Sequence, residues 1–345
     1  MSRALDYLRA SQTGEGAFGT TFEGMMYNQG LATLALAELY AMTRDEAAGS
    51  AAQRGVDFLE RAQQAGGGWD YGASATGRND TSITGWQVMA LKSARSAGLR
   101  VSPDVLLRAM GHFVRQGRPS GDTVYADREP FTGRMGAGMA AVGLSSRVFL
   151  GWPPDAPAVA RGAQRCLATP PVWNGWEKDP FQGPYYWYYA TMGLYQAGGE
   201  SWARWNPVMR DFLVSHQATA GHAAGSWEPD SRFGVVGGRV CATALNVMTL
   251  EVYYRYLPLY QQGSQGGEGL LASVFDELKG PAQLTALGLM AREYGPGSVA
   301  FLRRCLEPAR SAAVRLEAAT RLMALGDPSG LGLLTEASDR LPPAT

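Results

Sequence analysis

Two kinds of apolar segment alternate along the first 260 residues. The first kind is amphipathic. In LDYLRASQ (from Leu5), VDFLERAQ (from Val56) and RDFLVSHQ (from Arg210), apolar residues recur at three-to-four spacing between charged ones, which predicts a helix with one buried face. The second kind is apolar nearly all round, as in NQGLATLALAELYAMT from Asn28, DTSITGWQVMALKSARSAG from Asp80 and GRVCATALNVMTLEVYYRY from Gly238. Such a helix has no face to offer water and is expected to be buried on most sides. Small residues in it, including Ala32, Ala35, Gly85, Ala90, Gly138 and Ala242, allow close backbone approach.

Between the two kinds lies a Gly-rich turn that closes on an aromatic: GEGAFG at Gly14, GGGWDYG at Gly66 and AGSWEPD at Ala224. Two degenerate copies fill the gap, RAMGHFVRQG with RMGAGMAAVGLSSRVFLG, and ARGAQRCLAT with GPYYWYYATMGLYQAGG. Leu8, Leu59, Val114, Leu167 and Leu213 fall at intervals of 51, 55, 53 and 46 residues. The pattern predicts an all-α chain of five helix pairs, polar helices outside and apolar ones inside, in two concentric layers.

A helix carrying F/Y-L-x-x-x-Q and then a Gly-rich turn closed by Trp or Phe is similar to the QW motif of squalene-hopene and oxidosqualene cyclases. Protein prenyltransferase β subunits share that α/α-toroid framework. The resemblance implies that Gln12, Gln63, Gln217, Phe18, Trp69 and Trp227 tie neighbouring repeats together, the Gln by capping a helix end. It also implies that closed rings hold about six pairs, one more than is visible here. Two sources of closure present themselves: the C-terminal tail, or chain upstream of Met1.

That tail begins after a Gly/Gln linker. PAQLTALGLMAREYG and AAVRLEAATRLMALGDPSGLGLLTEA have the look of HEAT-type helices, with Asp327 before Pro328 in the turn. The expected organisation is a toroid over 1–260, a linker over 261–269 and a HEAT-like unit over 270–345, which caps the toroid or docks a protein partner.

Charge narrows the function. Lys+Arg and Asp+Glu are both 31, so there is no net field to attract nucleic acid. Cys166, Cys241 and Cys305 lie far apart and read as reduced, mostly buried thiols. The N-terminal segment has no apolar signal-peptide core, and the apolar run from Met135 to Trp152 is broken by Arg147. A cytoplasmic protein is expected, with peripheral membrane contact left open, and no transmembrane segment.

The inner helices' N-terminal ends should converge at one mouth. Tyr27, Asn79, Ser82, Arg134, Tyr186, Arg239 and Cys241 are candidate ligand contacts there, and Trp86, Trp187 and Tyr253 candidate lining of an aromatic lumen. In the cyclases that this chain resembles, an Asp of a DxDD motif protonates the substrate. Here the matching stretch is Gly77-Arg78-Asn79-Asp80-Thr81, so Asn79 stands at the donor position and only Asp80 matches. Asp80 is the candidate catalytic residue, and it also reads as a helix N-cap. No D-x-C pair is present for the zinc of the prenyltransferases. His112, His216 and His222 read as surface or turn residues, so neither metal nor cofactor is expected.

Three functions are consistent with these residues. One is a terpenoid-handling protein that binds an isoprenoid or similar apolar ligand in an open lumen. A second is a non-catalytic interaction scaffold whose lumen is plugged by its own aromatics. The third is a glycoside-active α/α barrel, with Asp70, Asp80, Glu228 and Asp230 as candidate carboxylates.

Overall fold

The computed structural model describes residues 2–19, 25–128, 136–175, 182–229, 234–255 and 269–339. Among these residues, ten helices build the toroid. The outer ones are α1 (Ser2–Ser11), α3 (Glu46–Ala62), α5 (Pro103–Gln116), α7 (Pro157–Leu167) and α9 (Gly199–His216). The inner ones are α2 (Met25–Thr43), α4 (Thr81–Ser96), α6 (Ala137–Phe149), α8 (Pro184–Ala197) and α10 (Gly234–Leu250). Each inner helix packs on the next in order, and each outer helix from α3 onward packs on the inner helices beside it. No strand occurs among the described residues, only isolated bridges.

Local chemistry sets the helix starts. Asp45 caps α3 by accepting from the Ala48 amide, and Asp80 caps α4 by accepting from Ser82 and Ile83. Prolines 103, 157 and 184 open α5, α7 and α8, where a missing N–H is harmless. The interior of α10 is interrupted at Gly238, so its regular part begins at Arg239.

The two layers differ as the hydrophobic pattern predicts. Outer α3 buries Ala48, Ala51, Ala52, Val56 and Leu59 and exposes Arg54 and Arg61. Inner α4 and α6 are buried on nearly every side. Close packing depends on small residues: a Cβ at Gly85 would lie 2.6 Å from Val142 on α6. The two terminal inner helices depart from the expectation. α2 leaves Leu31 and Met42 exposed, and α10 leaves Val240, Cys241 and Val247 exposed.

After α11 (Val252–Arg255) the tail comprises α12 (Gly269–Val274), α13 (Pro281–Tyr294), α14 (Val299–Arg304), α15 (Ala312–Ala324) and α16 (Leu331–Asp339). It lies against the end of the toroid where inner helices finish. Glu277 pairs with Arg95 in the last turn of α4, Tyr294 packs its ring on Trp152 just beyond α6, and α13 touches α5 and α7. This is the opposite end from Asp80. The described helices of the tail therefore cover the base of α4 to α7.

Candidate functional site

The site grows out of the backbone on either side of Asp80. The Asp80 amide donates to the Trp69 carbonyl at 2.8 Å, and the Thr81 amide donates to Tyr125 O at 2.8 Å. The start of α4 is thus held between its own turn and the next pair's turn, both of which carry tyrosines.

Asp80 itself is fully buried. Its Oδ1 accepts from the Ser82 amide at 2.9 Å, the Ile83 amide at 3.1 Å and the Ser82 hydroxyl at 2.5 Å, and its Oδ2 accepts from Arg78 at 2.7 Å. Arg78 reaches Asp70 with its other arm, and Asp70 accepts further from Thr76 and the Tyr71 amide. Burial pushes the Asp80 carboxyl above the ordinary aspartate range, and the Ser82, Ile83 and Arg78 donors pull against it. Burial would weaken the Arg78 cation, but Asp80 and Asp70 outweigh it and hold the guanidinium more firmly charged. Every partner of Asp80 is a donor, so the carboxylate acts as an acceptor hub with no proton to deliver.

Asn79 is tied down as firmly. Its Oδ1 accepts from the Gly68 amide at 2.8 Å, and its Nδ2 and backbone amide both donate to Asp127, at 2.6 and 2.8 Å.

Four half-buried tyrosines stand over this floor. Ser82 spends its hydroxyl proton on Asp80, so the Tyr27 hydroxyl is the donor in its 2.8 Å contact with Ser82 Oγ. Tyr71 and Tyr125 join hydroxyl to hydroxyl at 2.6 Å, and Tyr185 donates to the Ser82 carbonyl at 3.3 Å. Arg78 lies over the Tyr71 ring, 5.5 Å from its centroid. Burial raises all four phenols above their ordinary value, and the nearby Asp80 charge adds to the effect. They are hydrogen-bond donors at any physiological pH.

Below the tyrosines, Trp86 stacks on Tyr188 at 5.8 Å and meets Tyr189 and Tyr185 edge-on at 5.3 and 6.3 Å. Behind the floor, Thr81 donates its hydroxyl to Val124 O at 2.6 Å and contacts His112 Nε2 at 3.2 Å. His112 is wholly buried, contrary to its reading as a surface residue. It lies on the inward face of α5, and burial depresses its pKa to about 3.

The structure gathers some sequence candidates and separates others. Tyr27, Asn79, Asp80, Ser82 and Trp86 come together. Tyr186 does not join them: its hydroxyl donates to Thr169 O and its ring packs on Trp205 of α9, facing the outer layer. Trp187 stacks on Trp173, 6.0 Å away, and donates to Gln182, also toward the outer layer. Tyr253 sits at the far end, bonded to Asn206 and packed on Trp202. Arg239 pairs with Glu228 in the fifth turn, Cys241 is exposed where a buried thiol was expected, and Arg134 and Asp230 lie outside the described residues. Sequence reasoning missed Tyr71 and Tyr125. Their signal was an aromatic in the turn just before or beside the α4 start.

Among the described residues, Gln12 and Gln63 tie neighbouring pairs together without capping a helix end, whereas Gln217 bonds only within its own turn. Gln63 donates to Val105 O within α5, and Trp69 donates its indole N–H to Leu59 O at 2.8 Å. No group of three His, Cys, Asp or Glu residues is arranged to hold a metal among the described residues. No helix among them is long and apolar enough to cross a membrane.

No family model and no curated protein matches this chain. Among solved structures it is similar to an unsaturated glucuronyl hydrolase in complex with dGlcA-Glc-Rha-Glc. That likeness covers 75% of this chain and 80% of that one, with a TM-score of 0.53 and 14% identity. It does not confirm the squalene-cyclase resemblance. At that identity, the likeness shows the fold: the chain is an all-α protein built on an α/α toroid.

Proposed function

We propose that the toroid binds a carbohydrate at its tyrosine-lined mouth, in the manner of glycoside-active α/α barrels. The observation that carries this is the ring of Tyr27, Tyr71, Tyr125 and Tyr185 over the buried Asp80–Arg78–Ser82 floor, at the N-terminal ends of inner helices. Phenol faces stack on sugar C–H surfaces, phenol oxygens whose protons go to Ser82 accept from sugar hydroxyls, the Tyr71–Tyr125 pair keeps one proton to donate, and Arg78 supplies a fixed cation. The solved structure of like fold holds a sugar chain, which points the same way.

Binding is favoured over hydrolysis by these residues. Asp70 and Asp80 share one guanidinium, and Asp127 is held by Asn79. Glycoside hydrolysis needs one carboxyl with a proton to give and another facing substrate or water. An apolar isoprenoid has less support, because Tyr185, Tyr188 and Tyr189 already surround Trp86. The scaffold reading draws on the same satisfied carboxylates.

Calorimetric titration with uronic-acid-terminated and neutral oligosaccharides tests the proposal. Saturable binding that Tyr71→Ala weakens about tenfold, roughly one stacking contact, supports it. Absence of binding to any glycan, together with a stoichiometric isoprenoid in organic extracts of the purified protein, would overturn it.

A further inference from the structure

The first two repeat junctions are built from one set of contacts, used twice. At the first, Gln12 Nε2 donates to Ala51 O of the next outer helix at 2.9 Å, and Arg54 donates back to Gln12 Oε1 at 2.7 Å. At the second, Gln63 Nε2 donates to Val105 O at 2.9 Å and Arg108 donates back to Gln63 Oε1 at 2.7 Å. Seven residues beyond each of these arginines, Arg61 and Arg115 reach the turn carbonyls of Glu15 and Gly66. The turn glycines complete the fit. A Cβ at Gly16 would lie 2.1 Å from Arg54 O, one at Gly67 2.1 Å from Arg108 O, and one at Gly121 2.3 Å from Arg161 O. Each turn is a socket for the backbone of the following outer helix.

Among the described residues, the fifth turn is the same socket with no outer helix in it. Gln217 donates to Gly225 O at 2.9 Å, as Gln63 does to Gly67 O, and Trp227 donates to Leu213 O at 2.8 Å, as Trp69 does to Leu59 O. Yet a Cβ at Gly225 would meet no described atom within 4 Å, and Gln217 makes no bond to another helix among the described residues. Beside it α10 and α11 present an uncovered stripe, Val240 (83% exposed), Ala244, Val247 and Tyr254 (82% exposed), at helical spacing.

The other end of the chain carries the matching plug. Arg3 precedes Leu8 by five residues and Gln12 by nine, as Arg54 precedes Leu59 and Gln63. Arg3 is exposed on α1, Tyr7 is 72% exposed where the equivalent Phe58 is half-buried, and neighbouring α2 shows Leu31 and Met42. Among the described residues, the fifth turn is thus an unmated socket and α1 an unmated outer helix.

We propose that a second copy of this chain supplies the missing neighbour, head to tail. The α1 helix of one copy seats in the Gln217–Trp227 turn of another, Arg3 donates to Gln217 Oε1, and the α2 stripe covers the α10 stripe. The contact is heterologous, so each copy uses two different surfaces. Ala10 stands where Arg61 and Arg115 stand, so one arginine contact is not reproduced and the junction is weaker than those inside the chain.

Sedimentation velocity over a dilution series of the full chain tests this. Self-association is expected, weakened about tenfold or more by either Arg3→Glu or Val240→Asp, the scale of one charge-assisted hydrogen bond or one buried charge. Both side chains are exposed, so thermal melting of the dilute variants stays unchanged. Mixing the two variants decides the geometry: one intact plug and one intact socket restore a one-to-one pair. A chain that is monomeric at every concentration overturns the proposal, as does an oligomer that either substitution leaves intact. Failure of the mixture to associate shows a symmetric contact and overturns it equally.

Discussion

His112 offers the sharpest test of how the candidate site is supported. Thr81 spends its hydroxyl proton on Val124 O, so in its contact with His112 Nε2 the imidazole must donate. The proton therefore sits on Nε2, and Nδ1 is left buried without a hydrogen-bond partner. Adding a second proton would place an N–H and a charge at Nδ1 with no acceptor, beside Arg115 and Arg147. The folded pKa is about 3, against about 6.5 for an unfolded histidine. The unfolded chain thus binds the extra proton first as pH falls. Stability is fully present above about pH 6.5 and is lost progressively toward pH 3. At 1.36 kcal/mol per pH step the full loss approaches roughly 5 kcal/mol, and by pH 5 it is already about 2 kcal/mol. Other groups also titrate in acid, so the assay compares urea unfolding of the native protein with that of His112→Gln at pH 7, 6 and 5. The variant is less stable at pH 7, from lost packing. The gap should close by about 2 kcal/mol at pH 5. A gap constant to within about 0.5 kcal/mol would refute a neutral buried imidazole.

Three further outcomes follow from packing and hydrogen bonding, each read by the same unfolding assay. Asp80→Ala removes a cap and a buried partner of Arg78 and should cost about 3 kcal/mol, against about 1 kcal/mol for Asp45→Ala at the exposed cap of α3; equal losses would remove Asp80 from its hub role. Gln63→Ala should cost about 1–2 kcal/mol because its amide bridges two helices, whereas Gln217→Ala in dilute protein should cost under about 0.5 kcal/mol. Gly85→Ala forces a methyl to 2.6 Å from Val142 and should destabilise by about 1–3 kcal/mol, and a neutral result would mean that α4 and α6 separate freely.

The toroid was legible because its signals are local. Gln63, the glycines after it and Trp69 sit within one turn, and that turn closes on itself through Gln63–Gly67 and Trp69–Leu59 bonds. The site was only half legible because it is assembled across repeats. Tyr71 and Tyr125 bond to each other across 54 residues, and nothing in the sequence near either one announces the other. The misplaced aromatics of α8 have a different cause. PYYWYY is aromatic on every face, so apolar content could not say which rings look inward. A residue advances 100° around a helix, which puts Tyr185, Tyr188 and Tyr189 on one side with Trp86 and turns Tyr186 and Trp187 to the outer layer. His112 was misread for a related reason: an outer helix has a buried face too, and Val105, Ala109, His112 and Phe113 share it.

The internal repeats also separate what the fold requires from what it does not. In three pairs the turn's aromatic amide must find an acceptor on the inner helix. Phe18 uses Gln29 at 2.8 Å, Trp69 uses Thr84 at 3.0 Å and Trp227 uses Thr243 at 3.3 Å. Aligning Thr84 with Gln29 and Thr243 puts Asp80 opposite Met25 and Arg239. The toroid therefore forms helix pairs at this position with an apolar residue or a cation. A buried carboxylate is an expensive choice that neither neighbouring solution needs. In the second pair it comes with Arg78, Ser82 and four inward hydroxyls, all fixed by hydrogen bonds before any ligand arrives. Preorganised polar groups of this kind, most of them presenting acceptor oxygens, lower the ordering cost of binding a polar molecule. A lattice needed only to hold the turn would have stopped at Thr84.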